Sequence, residues 1–280
     1  MLDEFLAFFK SLTRSMDIIY ALEGIKPVSR IVVGEDNLVP TKNFLKDYDV
    51  CVITSDFKIR QEVNENRFSN KGVQIPASSK EKGNYFVYMS KKKELAEKAK
   101  QAEAAGNHAE LGKLFGYPKC CCEFFEKNFP VESKKQNDYV LATLKNSEGF
   151  TFPFHTNVTV RHMDINLLSH FPCNFKCEES IKLAKQNLKL LEKVSPELGE
   201  ITGGMLRGVV IYTANQGIFL LRDYKIYGNE ISYEGIMSSV NNKIYDSLKR
   251  SKKITVIDKN HIKTDKDELK GQDIGIMVFT

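Results

Sequence analysis

Five of the six cysteines fall in two tight groups, Cys120, Cys121 and Cys122, then Cys173 and Cys177, with His170 just ahead of the second group. Grouped thiols in a chain of 280 residues point to metal ligation or thiol catalysis, because reduced cysteines gather where a metal or an electrophile needs them. Cys173 and Cys177 are four apart, so a helical turn puts both sulfurs on one face, and His170 can reach the same point from the preceding loop. Together with Cys120 and Cys121 this makes up to four thiolates and an imidazole. That set suffices for zinc, for a single iron or for an Fe–S cluster, which sequence does not distinguish. The spacing departs from the usual C-x₂-C zinc knuckle, and adjacent side chains such as Cys120 and Cys121 diverge. Divergence tilts the reading toward an Fe–S cluster, or toward a single ion that takes one thiol of the pair. A metal-free dithiol is the third chemistry open to these residues.

The elements around the thiols follow from punctuation. Gly116-Tyr117-Pro118 stops one helix and starts the next, expected from Pro118 to about Asn128, so the three cysteines lie in a first turn. A helix start presents unpaired N–H groups and a partial positive charge, which lowers the pKa expected for Cys120 and Cys121. Cys122 shares a face with Phe125 and Phe129, and Cys120 points about 160° away from that stripe, so Cys122 reads as packing. Cys51, in Asp49-Val-Cys-Val-Ile-Thr54, reads as a strand residue of the core.

Other polar residues near the thiols have weaker claims. His155 and His162 sit in an irregular stretch leading to Cys173, where they could ligate, orient a ligand or relay protons. Cys120 with His170 or His162 and Asp164 has the composition of a nucleophile, base and orienter, but no catalytic residue can be assigned. Glu123, Glu178 and Glu179 suit the first turn of a helix better than acid–base work. No G-x-S-x-G, H-E-x-x-H, G-x-G-x-x-G or G-K-[ST] motif is present.

The fold class expected is α/β plus α+β. Residues 1–90 read as an α/β unit: a first helix over Leu2 to Leu22, strands at 29–33, 49–53 and 85–89, and a short helix near 43–46. Residues 91–200 read as a helical, Cys/His-rich segment packed on that unit. In it a long helix runs from Lys91, capped by Ser90, to Leu114, bent or split at Gly106-Asn107. A periodic helix follows Cys177 and ends near Ser195-Pro196. Gly199 to Gly204 reads as a linker, and residues 203–280 as a small α+β domain with strands at 208–212, 217–224, 230–233, 253–258 and 274–279 around a helix near 240–250.

The segment Leu111-Gly-Lys-Leu-Phe-Gly-Tyr-Pro-Lys-Cys-Cys-Cys-Glu-Phe-Phe125, with His170-Phe-Pro-Cys173 and Cys177 some fifty residues on, resembles a family. It is the largely archaeal family known as domain of unknown function 483, marked by Gly-Tyr-Pro-x-Cys-Cys and His-x-Pro-Cys blocks. The resemblance covers about residues 85–195 and brings no established reaction. In that pattern the position after the paired cysteines is usually aliphatic, which agrees with Cys122 as packing.

Composition narrows the class further. Hydrophobic residues at 42% and charged residues at 28% are those of a globular protein, and the apolar runs are strand-length, far short of the ~20 residues of a membrane span. Asp3 and Glu4 stand where a signal peptide needs positive charge, so a cytoplasmic protein is expected. Net charge is +5 with the basic residues scattered. The runs at Lys91-Lys93, Lys134-Lys135 and Lys249-Lys253 read as solvated helix ends, so RNA contact is weakly supported and no DNA signature appears. The function expected first is a metal- or Fe–S-dependent protein, an enzyme of sulfur or redox metabolism acting on an unknown small molecule or protein. The second is a zinc-stabilised binding protein that contacts RNA or a protein partner. The third is a dithiol oxidoreductase.

Overall fold

The computed structural model describes residues 1–62 and 71–280. Helices and sheets are mixed throughout, and the chain divides into two compact units, Met1–Asp138 and Tyr139–Thr280, a division that falls inside the 91–200 segment.

The first unit begins with α1 (Leu2–Phe9) and α2 (Leu12–Leu22). The single helix expected over this stretch is broken, because Lys10 takes a left-handed conformation and its N–H closes on Leu6 O. The Ser11 hydroxyl then accepts from Arg14 N and starts α2. There follow β1 (Ser29–Gly34), α3 (Leu38–Leu45), β2 (Cys51–Gln61), β3 (Gly72–Pro76), β4 (Asn84–Ser90), α4 (Lys93–Ala104), α5 (His108–Leu114) and α6 (Lys119–Glu132). Helix α3 starts earlier than expected, since Pro40 lies in its first turn, where a missing N–H costs nothing.

The strands form one antiparallel sheet in the order β1-β4-β2-β3, with Ser29 opposite Met89 and Cys51 opposite Ser90. The small side chains Ala96, Ala99 and Ala102 let α4 settle against Val28, Tyr88, Leu111 and Phe115. Ser90 is not the cap of α4. Its hydroxyl donates to Pro27 O and accepts from Lys92 N, and Lys92 precedes the first turn. Gly106, at positive φ, separates α4 from α5, which Asn107 caps by accepting from Glu110 N.

The second unit contains α7 (Val140–Lys145), β5 (Thr151–Phe152), α8 (Glu178–Val194), α9 (Pro196–Leu206), β6 (Gly208–Thr213), β7 (Ile218–Arg222), β8 (Lys225–Tyr227), β9 (Glu230–Ser232), β10 (Gly235–Ser238), α10 (Lys243–Ser251), β11 (Lys253–Asp258), β12 (His261–Lys263), β13 (Glu268–Lys270) and β14 (Ile274–Phe279). Two sheets, β10-β7-β6-β14-β5 and β13-β12-β11-β9-β8, share a core with Val209, Phe219, Ile231, Leu248, Ile254 and Val278. Strand β5 lies parallel to β14, Phe152 opposite Phe279, which ties the irregular stretch after Phe150 into the C-terminal sheet. Such a pairing joins residues more than a hundred positions apart, and no local pattern announces it.

The expected linker at Gly199–Gly204 is instead helical. Ser195 caps α9 by accepting from Leu198 N, and Pro196 is its first residue. Gly199 is there for proximity: a Cβ would lie 2.6 Å from Glu192 Cγ and 3.1 Å from Glu192 Cα, where α9 turns back on α8. Glycine here serves a close helix crossing, which composition alone reads as flexibility.

Candidate metal centre

Each pair of thiols is delivered by the start of a helix. Pro118 caps α6 and its carbonyl accepts from both Cys121 N and Cys122 N, which sets Cys120 and Cys121 side by side in the first turn. Their sulfurs are 3.9 Å apart. Cys177 is the cap residue of α8, its N–H donating to Asn174 O, and Cys173 lies one turn before it.

The Cys173–Cys177 loop is built by side chains of α7 and of the two residues that follow it. Thr143 Oγ1 donates to Pro172 O at 2.9 Å, Asn146 Nδ2 donates to Cys173 O at 2.7 Å, and Ser147 Oγ accepts from Phe175 N at 2.8 Å. Asn174 turns the loop on itself, its Oδ1 accepting from Lys176 N and its Nδ2 lying 3.5 Å from Cys173 Sγ. The C-terminal end of α7 is held in turn by Lys259, whose Nζ donates to Leu144 O, Lys145 O and Ser147 O. None of these supporting residues stood out in the sequence. The one local hint is Thr143 and Ser147, hydroxyls four apart at the end of an apolar helix.

The Sγ atoms of Cys120, Cys121, Cys173 and Cys177 all lie within 4.8 Å of one another. Four sulfurs around one tetrahedral ion, at about 2.3 Å from it, stand roughly 3.8 Å apart. The spacing therefore fits metal binding, and the vicinal pair does not diverge as helical geometry alone implied. All six cysteines are thiols rather than disulfides. Cys121 and Cys177 are buried, Cys173 is half-buried and Cys120 is exposed.

The histidines lie outside this group of four. His170 is buried, with Nε2 3.0 Å from the Ser180 hydroxyl of α8. His155 stacks on Phe154, and burial, then Lys185 and Arg207, hold its pKa below the ordinary histidine value. His162 lies in a single 3₁₀ turn, Arg161–Met163. His108 packs on Phe129 at 4.1 Å, and its pKa is lowered chiefly by burial. Glu123 pairs with Lys119, while Glu178 and Glu179 occupy the exposed first turn of α8. Cys122 is buried, its Sγ where a side chain on Gly112 of α5 would otherwise stand, and burial foremost pushes its thiol pKa up. It packs α6 on α5. Cys51, at the start of β2, is half-buried.

Residues 95–195 match the family model of a protein of unknown function, DUF483. The matched segment contains all four grouped thiols, His170, the side chains in and just after α7 that shape their loop, and the whole of α8. No curated protein matches the chain, and no solved structure does. No helix among the described residues is long and apolar enough to cross a membrane.

The α7 contacts make a direct prediction. Thr143→Val keeps the buried shape and removes the donor to Pro172 O, and is expected to lower stability by about 1–2 kcal/mol. Groups that orient metal ligands typically change affinity about 10- to 100-fold. Competition with a chromophoric chelator should therefore show Thr143→Val losing metal at least about tenfold more readily. Unchanged affinity in a folded variant would remove the loop-positioning role.

Proposed function

We propose that this protein is a zinc-stabilised binding protein in which Cys120, Cys121, Cys173 and Cys177 hold one Zn²⁺ as a closed tetrathiolate. The observation that carries this reading is the mutual approach of the four sulfurs within 4.8 Å. A [4Fe–4S] cluster takes each thiolate on a different iron and spreads the sulfurs farther apart than one shared ion does, so the spacing favours a single ion. A tetrahedral all-sulfur set favours zinc among single ions. Four protein ligands leave no open position for substrate, which supports a structural rather than a catalytic role. His170, with Nε2 near Ser180, then packs the base of α8 rather than completing the coordination.

The test is elemental analysis of the native protein, followed by replacement with Co²⁺. One zinc per chain is expected, and the cobalt form should show the intense visible bands of tetrahedral thiolate coordination. Both should vanish in Cys121→Ser. Stoichiometric iron with a coloured, air-sensitive spectrum would replace this reading by the Fe–S one. Protein without metal, carrying two rapidly alkylated thiols, would leave only the dithiol chemistry.

A further inference from the structure

One face of α8 carries a row of lysines that form no ion pair among the described residues. Lys182, Lys185 and Lys189 are exposed and line a shallow depression with Ile181 and Gln186, closed at its start by Glu178. They step along the helix by three and four, so the row extends about 10 Å at 1.5 Å per residue. Arg207, just past α9, is exposed and lies with its guanidinium 3.6 Å from the ring centre of Phe154, next to His155. After burial, Lys185 and Arg207 are the groups that lower the pKa of His155, so both cations lie near one imidazole.

The basic runs conspicuous in the sequence are neutralised in part. Lys93 pairs with Glu97, Lys135 with Glu132, Lys252 with Glu234 and Lys253 with Glu230. Among the described residues, Lys182, Lys185, Lys189 and Arg207 form no ion pair. Holding like charges on one helical face is unfavourable unless an anion offsets it.

We propose that this face of α8, with Arg207, binds the sugar–phosphate backbone of single-stranded RNA. Three lysines over about 10 Å engage successive phosphates of one strand, the apolar floor at Ile181 receives the lysine stems, and Gln186 and Arg207 supply directional donors. The site is independent of the metal reading, since none of its residues is a thiol ligand.

The experiment is fluorescence anisotropy of a short labelled single-stranded RNA with the intact metal-loaded protein, across a salt series. Three phosphate contacts predict a slope of log affinity against log salt of about −2. The triple variant Lys182→Glu, Lys185→Glu, Lys189→Glu should weaken binding by at least about tenfold and flatten that slope. A control with the same net charge, Lys42→Glu, Lys46→Glu, Lys225→Glu, should change it less than about twofold, because those exposed lysines lie elsewhere. Melting curves establish that each variant is folded. Equal loss in both triple variants would reduce the effect to diffuse charge and overturn the proposal. So would absence of binding at low salt, or lysine-dependent binding of phosphatidylglycerol vesicles without binding of RNA.

Discussion

Cys177→Ser is expected to abolish stoichiometric metal and to lower the melting temperature of the protein as isolated by roughly 10 °C or more. The magnitude follows from coupling: structural zinc binds peptides with an apparent 10–16 kcal/mol near neutral pH, and that binding energy is folding energy. Even a few kcal/mol lost at about 2–4 °C per kcal/mol produces such a shift. Chelation of the wild type separates ligation from packing, because Cys177 is also 6% exposed and caps α8. Stripped wild type and stripped variant should melt within a few degrees of each other, while only the wild type regains its stability on adding Zn²⁺. If the variant melts low whether or not metal is present, Cys177 is packing and the ligand assignment fails. The metal-dependent increment should also shrink as pH falls. Each thiol must lose its proton to bind, so acid competes with the ion and stability gained from metal is present at higher pH and lost on acidification.

Lys58→Met should cost the first unit about 3 kcal/mol. The Lys58 side chain is 1% exposed, and its Nζ donates to the Glu35 carboxylate, to Ser79 O at 2.8 Å and to Glu81 O at 2.9 Å. It lies in β2 beside the register shift opposite β4, where the ladder between Thr54 and Lys58 is interrupted. Breaking a buried ion pair costs about 3–5 kcal/mol, and the lower end applies because Glu35 is 42% exposed and keeps its water. Two carbonyls of the 79–81 turn would also lose their donor. Denaturant titration should show a lower midpoint with an unchanged slope. A loss under about 1 kcal/mol would mean that water replaces the amine, and that this lysine is not what holds the turn to the sheet.

These two sites differ in how far they could be read from the chain itself. The grouping of Cys120 and Cys121 with Cys173 and Cys177 was visible because thiols are rare and cluster for chemical reasons. Pro118 and the helical periodicity after Cys177 placed both pairs at helix starts. Lys58 offered no such signal. It shares a strand face with Asp56 and Arg60, two residues to either side, and a lysine that will be buried looks the same as one that will be solvated until its acceptors arrive from residues 35, 79 and 81. The lysine row on α8 lies between these cases. Its spacing is in the sequence, but so is that of every solvated helix face, and what sets it apart is the depression it lines with Ile181 and Gln186 and the approach of Lys185 and Arg207 to His155.

Local chemistry decided the helix starts, the mixed α and β character and the identity of the grouped thiols, because capping, propensity and periodicity act over a few residues. Tertiary structure decided the rest. It brought vicinal sulfurs to 3.9 Å, made Gly199 a helix contact, and joined Phe152 to Phe279. It also let Thr143, Asn146 and Lys259 shape a cysteine loop distant from them in the chain. The physical reason is common to all four. Each depends on which surfaces meet when apolar faces are buried, and that is settled by the packing of whole elements rather than by the residues on either side.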